Sequence, residues 1–182
     1  MAIQFRIEGW VFLLWALGIL LLPLAWMAAV LLAMTIHELF HLLAAKLIRV
    51  PVYAIHVGIR GCRIMTAPMD RREEILTAAA GPFGSFCLLL FMRHYPALAF
   101  CGLVQGLWNL IPRYSSDGGR ILRCLAGERI CVIAENVSEI MILVFGIWAA
   151  VALECLPIFL FIIWNCLPKI QLSEKFLAKK QK

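Results

Sequence analysis

Long apolar runs separated by short charged segments dominate this chain. From Gly9 to Ala45 there are 37 residues with a single formal charge, at Glu38. One helix of that length would measure about 55 Å, well beyond the roughly 30 Å hydrocarbon core of a membrane. We therefore predict a break at Pro23 and two helices, over 9–22 and 24–46. The alternative is one tilted helix.

Further apolar runs predict helices over 75–92, 95–112, about 131–153 and 155–168. The predicted fold class is an all-α integral membrane protein with about six transmembrane helices, or five if the first two are one. Residues 1–168 would form a single membrane-embedded domain, and 169–182 a short basic cytoplasmic tail.

Composition excludes a soluble globular enzyme. The chain is 63% hydrophobic and 15% charged, with a mean hydropathy of +0.90. A soluble domain is roughly 45–50% apolar and 25% charged. The seven cysteines form no C-x-x-C pair. We interpret them as small buried hydrophobic residues rather than disulfides or zinc ligands.

The basic residues set the predicted orientation. With six spans, 16 of the 17 Lys and Arg residues fall on one side of the membrane, and Arg93 falls on the other. The positive-inside rule then places both termini in the cytoplasm. We therefore interpret the net charge of +6 as a signal for membrane orientation, and we expect no nucleic-acid partner.

The second predicted span contains the motif H-E-x-x-H, at His37, Glu38 and His41. Histidines at i and i+4 lie on one helical face, so both imidazoles can reach one metal ion, with the glutamate beside it. Ionisable side chains in an apolar span cost several kcal/mol unless they are paired or bound to a metal. The motif therefore predicts a catalytic site with one Zn²⁺ per chain.

A catalytic zinc normally takes three protein ligands, so a third residue is expected. Asp117 stands out because it follows Pro112 and a short irregular stretch, and because Gly118 and Gly119 would let the backbone turn sharply after it. Irregular backbone at membrane depth occurs only where it is buried in protein or lines a cavity. The other candidates are Glu135, Glu139, His56, His94 and the cluster of Asp70, Glu73 and Glu74, which we interpret as a mutually paired loop face.

The segment between the second and third spans has the alternation of β-strands. Ile55, Val57 and Ile59 alternate with other residues, and a turn is predicted near Arg60 and Gly61. We predict a short cytoplasmic β-hairpin-like loop over 52–65 whose three alternating residues bind an unwound substrate by strand addition. A plain cytoplasmic loop is the alternative.

The motifs resemble those of the site-2 protease family of intramembrane zinc metalloproteases, which combine H-E-x-x-H with a distant N-x-x-P and D-G. In this chain the distant motifs are Asn109 with Pro112 and Asp117 with Gly118. The short spans and the sequence Ala80-Gly81-Pro82 are most similar to the compact branch of the stage IV sporulation protease, which processes a membrane-tethered sigma-factor precursor. One departure is Ser85, where relatives often carry an amide side chain.

The resemblance implies the roles of individual residues. His37, His41 and Asp117 would bind zinc, Glu38 would activate water, and Asn109 would help to hold the substrate. It further implies a multi-pass protein of the bacterial inner membrane, a membrane-protein substrate such as a sigma-factor precursor or anti-sigma factor, and a possible membrane-embedded regulator.

Two alternatives stay open from the sequence. One is a membrane zinc protease of the prenyl-protease type, in which Glu135 or Glu139 replaces Asp117 as the third ligand. The other is a non-enzymatic membrane protein that binds or transports zinc, although transport has no need for Glu38.

Overall fold

The computed structural model describes residues 4–58 and 61–152, which form helices and one small sheet. In chain order the elements are β1 (Gln4–Ile7), α1 (Gly9–Leu21), α2 (Leu24–Leu47), β2 (Val52–Gly58), β3 (Gly61–Thr66), α3 (Arg71–Cys87), a 3-10 helix (Leu88–Phe91), α4 (Pro96–Leu110), α5 (Asp117–Ala126) and α6 (Glu128–Ala152). Two compact units divide the chain, Met1–Ile133 and Ala134–Lys182. The first contains the sheet and α1 to α5, and the described part of the second is the remainder of α6.

The predicted break at Pro23 is confirmed. Helix α1 ends at Leu21, and α2 begins at Leu24. The Pro23 carbonyl accepts hydrogen bonds from the N–H groups of Trp26 at 2.9 Å and Met27 at 3.1 Å. Proline thus stands just before the first turn of α2, where its missing N–H costs nothing.

Helix α3 begins earlier than the apolar run predicted, and its acidic cluster explains why. The Asp70 side chain accepts from the Glu73 N–H at 2.8 Å, and the Glu73 side chain accepts from the Asp70 N–H at 2.9 Å. This reciprocal capping box satisfies two N–H groups that would otherwise lack partners. The interpretation of this cluster as a loop face was wrong, because Asp70 caps α3 and both Glu73 and Glu74 lie in its first turn, although Asp70 and Glu73 do pair with each other.

Three described helical segments are long and apolar enough to cross a membrane, namely Leu24–Leu47, Arg71–Phe91 and Glu128–Ala149. Two shorter apolar helices, α1 and α4, accompany them. Five of the six predicted spans therefore correspond to helices, although only three of these have spanning length. The predicted span over 155–168 and the tail over 169–182 lie outside the described residues.

The predicted hairpin is present as the antiparallel pair β2 and β3, and a strand that the sequence analysis did not predict joins it. Strand β1 pairs with β2 in parallel. The order is therefore β1-β2-β3, with β2 in the centre. Ile55 lies between Phe5 and Ile64, and Val57 lies between Ile7 and Cys62. Because directly paired residues point to the same side, these six side chains share one face of the sheet.

Small residues let the helices of the first unit approach closely. An added Cβ at Gly102 of α4 would lie 2.6 Å from the Ser85 carbonyl oxygen and 2.8 Å from the Leu88 Cβ. An added Cβ at Gly84 of α3 would overlap the Phe40 side chain of α2. Since the obstacle at Gly102 includes the Ser85 backbone, a side chain there would force α3 and α4 apart.

We expect Gly102→Ala to destabilise the protein by about 1–3 kcal/mol, because overpacking at a backbone contact cannot be relieved by rotating a side chain. Thermal unfolding of the detergent-solubilised protein would measure the effect. Gly9→Ala is the matched control, because nothing lies within 4 Å of an added Cβ there. Equal melting temperatures for the two variants would contradict this account of the packing.

Candidate metal centre

The two histidines of the H-E-x-x-H motif point at one carboxylate. His37 and His41 lie one turn apart on α2, and their Nε2 atoms are 3.2 Å from each other. Oδ2 of Asp117, the first residue of α5, lies 3.1 Å from His37 Nε2 and 3.2 Å from His41 Nε2. All three residues are buried. In the part of the chain that the structure describes, these three residues form a group that can hold a metal ion.

The size of this triangle fits zinc. Two ligand atoms bound at 2.0–2.1 Å in a tetrahedral site lie about 3.3 Å apart. The three observed separations are 3.1, 3.2 and 3.2 Å. Two imidazole nitrogens and one carboxylate oxygen also belong to the donor types that zinc prefers.

Hydrogen bonds on the far side of the imidazoles orient both rings so that their Nε2 atoms can face a cation. His41 Nδ1 lies 2.7 Å from the Thr77 carbonyl oxygen, which can only accept, so Nδ1 carries the proton. His37 Nδ1 lies 2.9 Å from the Ser85 hydroxyl, which can accept from it in the same way. A neutral imidazole protonated at Nδ1 presents a lone pair at Nε2. The lone pairs of both histidines then converge on the Asp117 carboxylate.

Ser85 and Thr77 were not singled out from the sequence as partners of the histidines. Both lie on α3, where Ser85 is fully buried and Thr77 nearly so. They hold the two rings in the orientation that metal binding requires, as outer partners of ligand histidines generally do. The departure noted at Ser85 was the available signal, since it marks a polar side chain in an apolar helix.

Helix α3 also contributes the space for an ion. An added Cβ at Gly81 would overlap the His41 ring and lie 2.8 Å from His37 Nε2. A methyl group there would occupy the volume in front of the ligand atoms. Gly81 is therefore required for close approach, and the site forms a cradle that any side chain at this position would fill.

Asp117 is held by a tightly bonded loop between α4 and α5. The Ser116 hydroxyl oxygen lies 2.6 Å from the Ile111 carbonyl oxygen and accepts from the Gly119 N–H at 3.1 Å. Added Cβ atoms at Gly118 and Gly119 would overlap the Leu110 and Arg113 carbonyl groups. The prediction that these glycines make a sharp turn was wrong: they lie inside α5 without positive φ, and close packing of the loop explains them.

Arg120 supports the outer side of the carboxylate. Its Nη1 lies 3.9 Å from Asp117 Oδ1, and its Nε lies 3.5 Å from Glu74 Oε1 on α3. The guanidinium thus stands between the two acidic groups and connects α5 with α3. The Asp117 oxygen that faces the histidines, Oδ2, remains available for an ion.

Glu38 lies beside the triangle in a cavity of about 290 Å³. The cavity is lined by parts of α2, β3, α3, α4 and α5, and Asn109 of α4 is among the lining residues. Asn109 donates from Nδ2 to the Gln105 carbonyl oxygen at 3.0 Å. The Glu38 carboxylate, a group able to hold a metal ion and a candidate substrate-binding amide therefore share one space.

Strand β3 forms one wall of this cavity, through Cys62, Arg63, Ile64 and Thr66. Burial, together with the charge and hydrogen bonding of the neighbouring Glu38 carboxylate, raises the pKa of the Cys62 thiol to about 12. The predicted substrate-binding residues Ile55 and Val57 lie instead on the central strand β2, and Ile59 is outside the described residues. Strand β2, which carries Ile55 and Val57, is therefore next to the strand that lines the cavity, and β3 is the strand that lines it.

Of the other candidate third ligands, those on described residues are not in the triangle. Asp70 and Glu73 cap α3, Glu74 pairs with Arg120, and His56 lies in β2. Glu135 and Glu139 lie on α6, in the second unit.

Comparison with known proteins supports the resemblance. No model of a known protein family matches the chain. A curated zinc metalloprotease of Methanocaldococcus jannaschii is 29% identical over an alignment 137 residues long, and the match covers 63% of this chain and 40% of that protein. The chain thus spans less than half the length of this relative.

A solved structure, the site-2 protease of Methanocaldococcus jannaschii, superposes with a TM-score of 0.66 at 22% identity. The match covers 96% of this chain and 94% of the other. The chain therefore has the site-2 protease fold. The resemblance noted in the sequence is confirmed as far as the fold is concerned. The assignment to the sporulation branch stays a prediction.

We expect Gly81→Ala to lose bound zinc, because the added methyl group would occupy the space in front of both Nε2 atoms. Metal analysis of the purified protein should give close to one zinc per wild-type chain and close to none for the variant. Gly9→Ala is the control for a glycine-to-alanine change, since nothing lies within 4 Å of an added Cβ there and Gly9 is on α1, away from the ligands. Full zinc retention by Gly81→Ala would contradict the proposed site.

Proposed function

We propose that this protein is an intramembrane zinc metalloprotease that hydrolyses a peptide bond in or next to a transmembrane segment of a membrane-tethered protein. The observation that carries the proposal is the Glu38 carboxylate beside the buried His37, His41 and Asp117 triangle, inside a cavity bounded by apolar helices. The fold of a site-2 protease and the similarity to a zinc metalloprotease support it.

His37, His41 and Asp117 would hold the zinc ion. When bound, zinc lowers the pKa of water and polarises a carbonyl group. Glu38 takes a proton from the attacking water as its oxygen bonds to the carbonyl carbon. It then gives that proton to the leaving nitrogen as the C–N bond breaks, which leaves a carboxylic acid and an amine. Asn109 is positioned to donate a hydrogen bond to the substrate backbone or to the oxyanion that develops.

A transmembrane substrate must unwind before it can react, because a helix hides its peptide groups in its own hydrogen bonds. Addition to the edge of a sheet would hold the unwound segment extended. The central strand β2 already has a neighbour on each side, so a substrate strand cannot pair with Ile55 and Val57. We place the strand addition at β3. In the described sheet β3 is an outer strand, and it lines the cavity that contains Glu38.

Cellular context follows from the same proposal. We place the protein in the bacterial inner membrane with both termini in the cytoplasm, acting on a sigma-factor precursor or anti-sigma factor under a membrane-embedded regulator. The charge distribution supports the orientation, and the sequence resemblance supports the substrate class. Co-expression with tagged candidate substrates tests the substrate class, and the accessibility of tags on each terminus tests the orientation.

Two competing functions make different demands on the site. A protease of the prenyl type would use Glu135 or Glu139 as third ligand, whereas Asp117 completes the observed triangle. A zinc carrier would have no need for a carboxylate beside the ion, whereas Glu38 lies in the same cavity. We therefore favour the hydrolytic function.

We expect Glu38→Gln to retain zinc and to lower substrate cleavage by at least about a hundredfold, because it removes the general base and keeps the shape of the side chain. Asp117→Ala should lose both zinc and cleavage, whereas Glu135→Ala should keep both. Cleavage of a tagged membrane substrate and metal analysis of the same preparations measure the two properties. In a host free of other cleaving proteases, undiminished cleavage by Glu38→Gln would refute the proposal, and full zinc in Asp117→Ala would refute the ligand assignment.

We expect Ile64→Pro to lose most cleavage and keep its zinc. Along the ladder that begins at the pair Gly58 and Gly61, Ile64 falls at a non-hydrogen-bonded position, so its N–H points away from β2. Proline is tolerated at such an edge position but cannot donate to an added strand. Ile64→Val keeps the N–H and should keep most of the cleavage. Normal cleavage by Ile64→Pro would argue against strand addition at β3 while leaving the protease assignment intact.

A further inference from the structure

The two faces of the small sheet carry different kinds of side chain. One face is largely apolar and contains Ile55 and Ile64. On the opposite face Arg6, His56 and Arg63 are paired directly across the three strands, so their side chains form one row. Arg6 and Arg63 are exposed and stand at the two ends of this basic row.

Arg63 differs from Arg6 in its position relative to the candidate site. It lies on β3 and lines the cavity, whereas Arg6 lies on β1 and is not among the lining residues. The other arginine of the cavity wall, Arg120, stands between Glu74 and Asp117. In the described part of the chain, Arg63 forms no ion pair with an acidic side chain. Its charge is therefore available to an anionic group that enters the cavity.

A strand added to β3 would bring one of its side chains against Arg63. Arg63 lies two positions along the ladder from the pair Gly58 and Gly61, so its N–H and carbonyl groups point towards β2. The outward-facing backbone groups belong to Cys62 and Ile64 instead. In an antiparallel addition, the residue opposite Arg63 would thus form a non-hydrogen-bonded pair, in which side chains approach most closely. Its two neighbours along the added strand would point to the apolar face.

We propose that Arg63 determines substrate specificity by binding an acidic side chain of the substrate strand, and that this side chain is flanked by apolar residues. Opposite charges directly across a strand pair attract, and like charges repel. A guanidinium group can also donate two parallel hydrogen bonds to one carboxylate. The inference rests on the proposed protease function and on strand addition at β3. It narrows the substrates to segments with an apolar–acidic–apolar pattern.

The position of Arg63 favours a substrate carboxylate over the phosphate of a lipid headgroup. A headgroup at the basic face would meet Arg6 and Arg63 alike, because both are exposed at the ends of one row. A substrate strand on β3 meets Arg63 alone. It would lie three strand spacings from β1, about 14 Å, which exceeds the distance over which salt leaves exposed charges unscreened.

Binding of short labelled peptides tests the proposal, with fluorescence anisotropy as the readout. In these peptides Val and Thr alternate, and the central residue, which replaces one Thr, is Glu, Gln or Lys. The zinc-loaded Glu38→Gln protein in detergent is the receptor, because it should bind the peptides without cleaving them. We expect the Glu peptide to bind about threefold more tightly than the Gln peptide and about tenfold more tightly than the Lys peptide.

Substitutions of Arg63 in the same background should change this preference in a graded way. Arg63→Lys keeps the charge and should keep the preference for Glu. Arg63→Gln should abolish the preference, and Arg63→Glu should reverse it in favour of the Lys peptide. Arg6→Glu is the matched control, because it changes an exposed arginine of the same row on the far strand and should leave the preference unchanged.

The outcomes separate a specific contact from general attraction. Equal binding of the three peptides would overturn the proposal. So would an equal loss of preference in Arg6→Glu and Arg63→Glu, which would indicate general binding of anions, lipid phosphates included, to the basic row. Loss of preference in Arg6→Glu alone would place the added strand on β1 and would also overturn it.

Two further measurements keep the result decisive. Zinc content shows whether each variant is folded, and Arg63→Gln decides if Arg63→Glu does not fold. The expected charge preference, together with no cleavage of tagged membrane substrates by the wild type, would contradict the protease function and leave the acidic-strand site established. Cleavage without any charge preference would leave the protease function intact and overturn the role of Arg63.

Discussion

The convergence of three lone pairs in a buried site is the constraint on which the rest of this structure depends. His37, His41 and Asp117 bring two imidazole nitrogens and a carboxylate oxygen within 3.1–3.2 Å of each other. In the neutral form of His41 the Nε2 atom carries no proton, because the proton at Nδ1 is donated to the Thr77 carbonyl. Such an arrangement is unfavourable in an apolar interior unless a cation occupies it. The surrounding elements serve to present these atoms and to keep the space between them clear.

Several of those elements could be predicted from the sequence, and the reasons differ. The motif of α2 was evident because helical periodicity alone places His37 and His41 on one face. The break at Pro23 followed from helix length against membrane thickness. Asp117 required more, since its identification used the irregular stretch before it and the resemblance to a known family.

Other parts of the site could not be predicted, because they depend on packing between distant segments. Gly81 matters through an absent side chain, and only the position of the neighbouring rings reveals it. Ser85 becomes a partner of His37 across 48 residues of sequence. Strand β1 is four residues long, and it pairs with a strand about fifty residues further along the chain. The local sequence pattern therefore did not predict it.

The position of β1 has a practical consequence for work on this protein. The strand begins at Gln4, immediately ahead of α1, and it pairs along the side of β2 opposite the cavity wall. An affinity tag or reporter fused just before Gln4 would therefore emerge against the same small sheet that borders the candidate site. A label on that end would be separated from the cavity wall β3 by the single strand β2, even though the sequence places it more than thirty residues from the first histidine of the site.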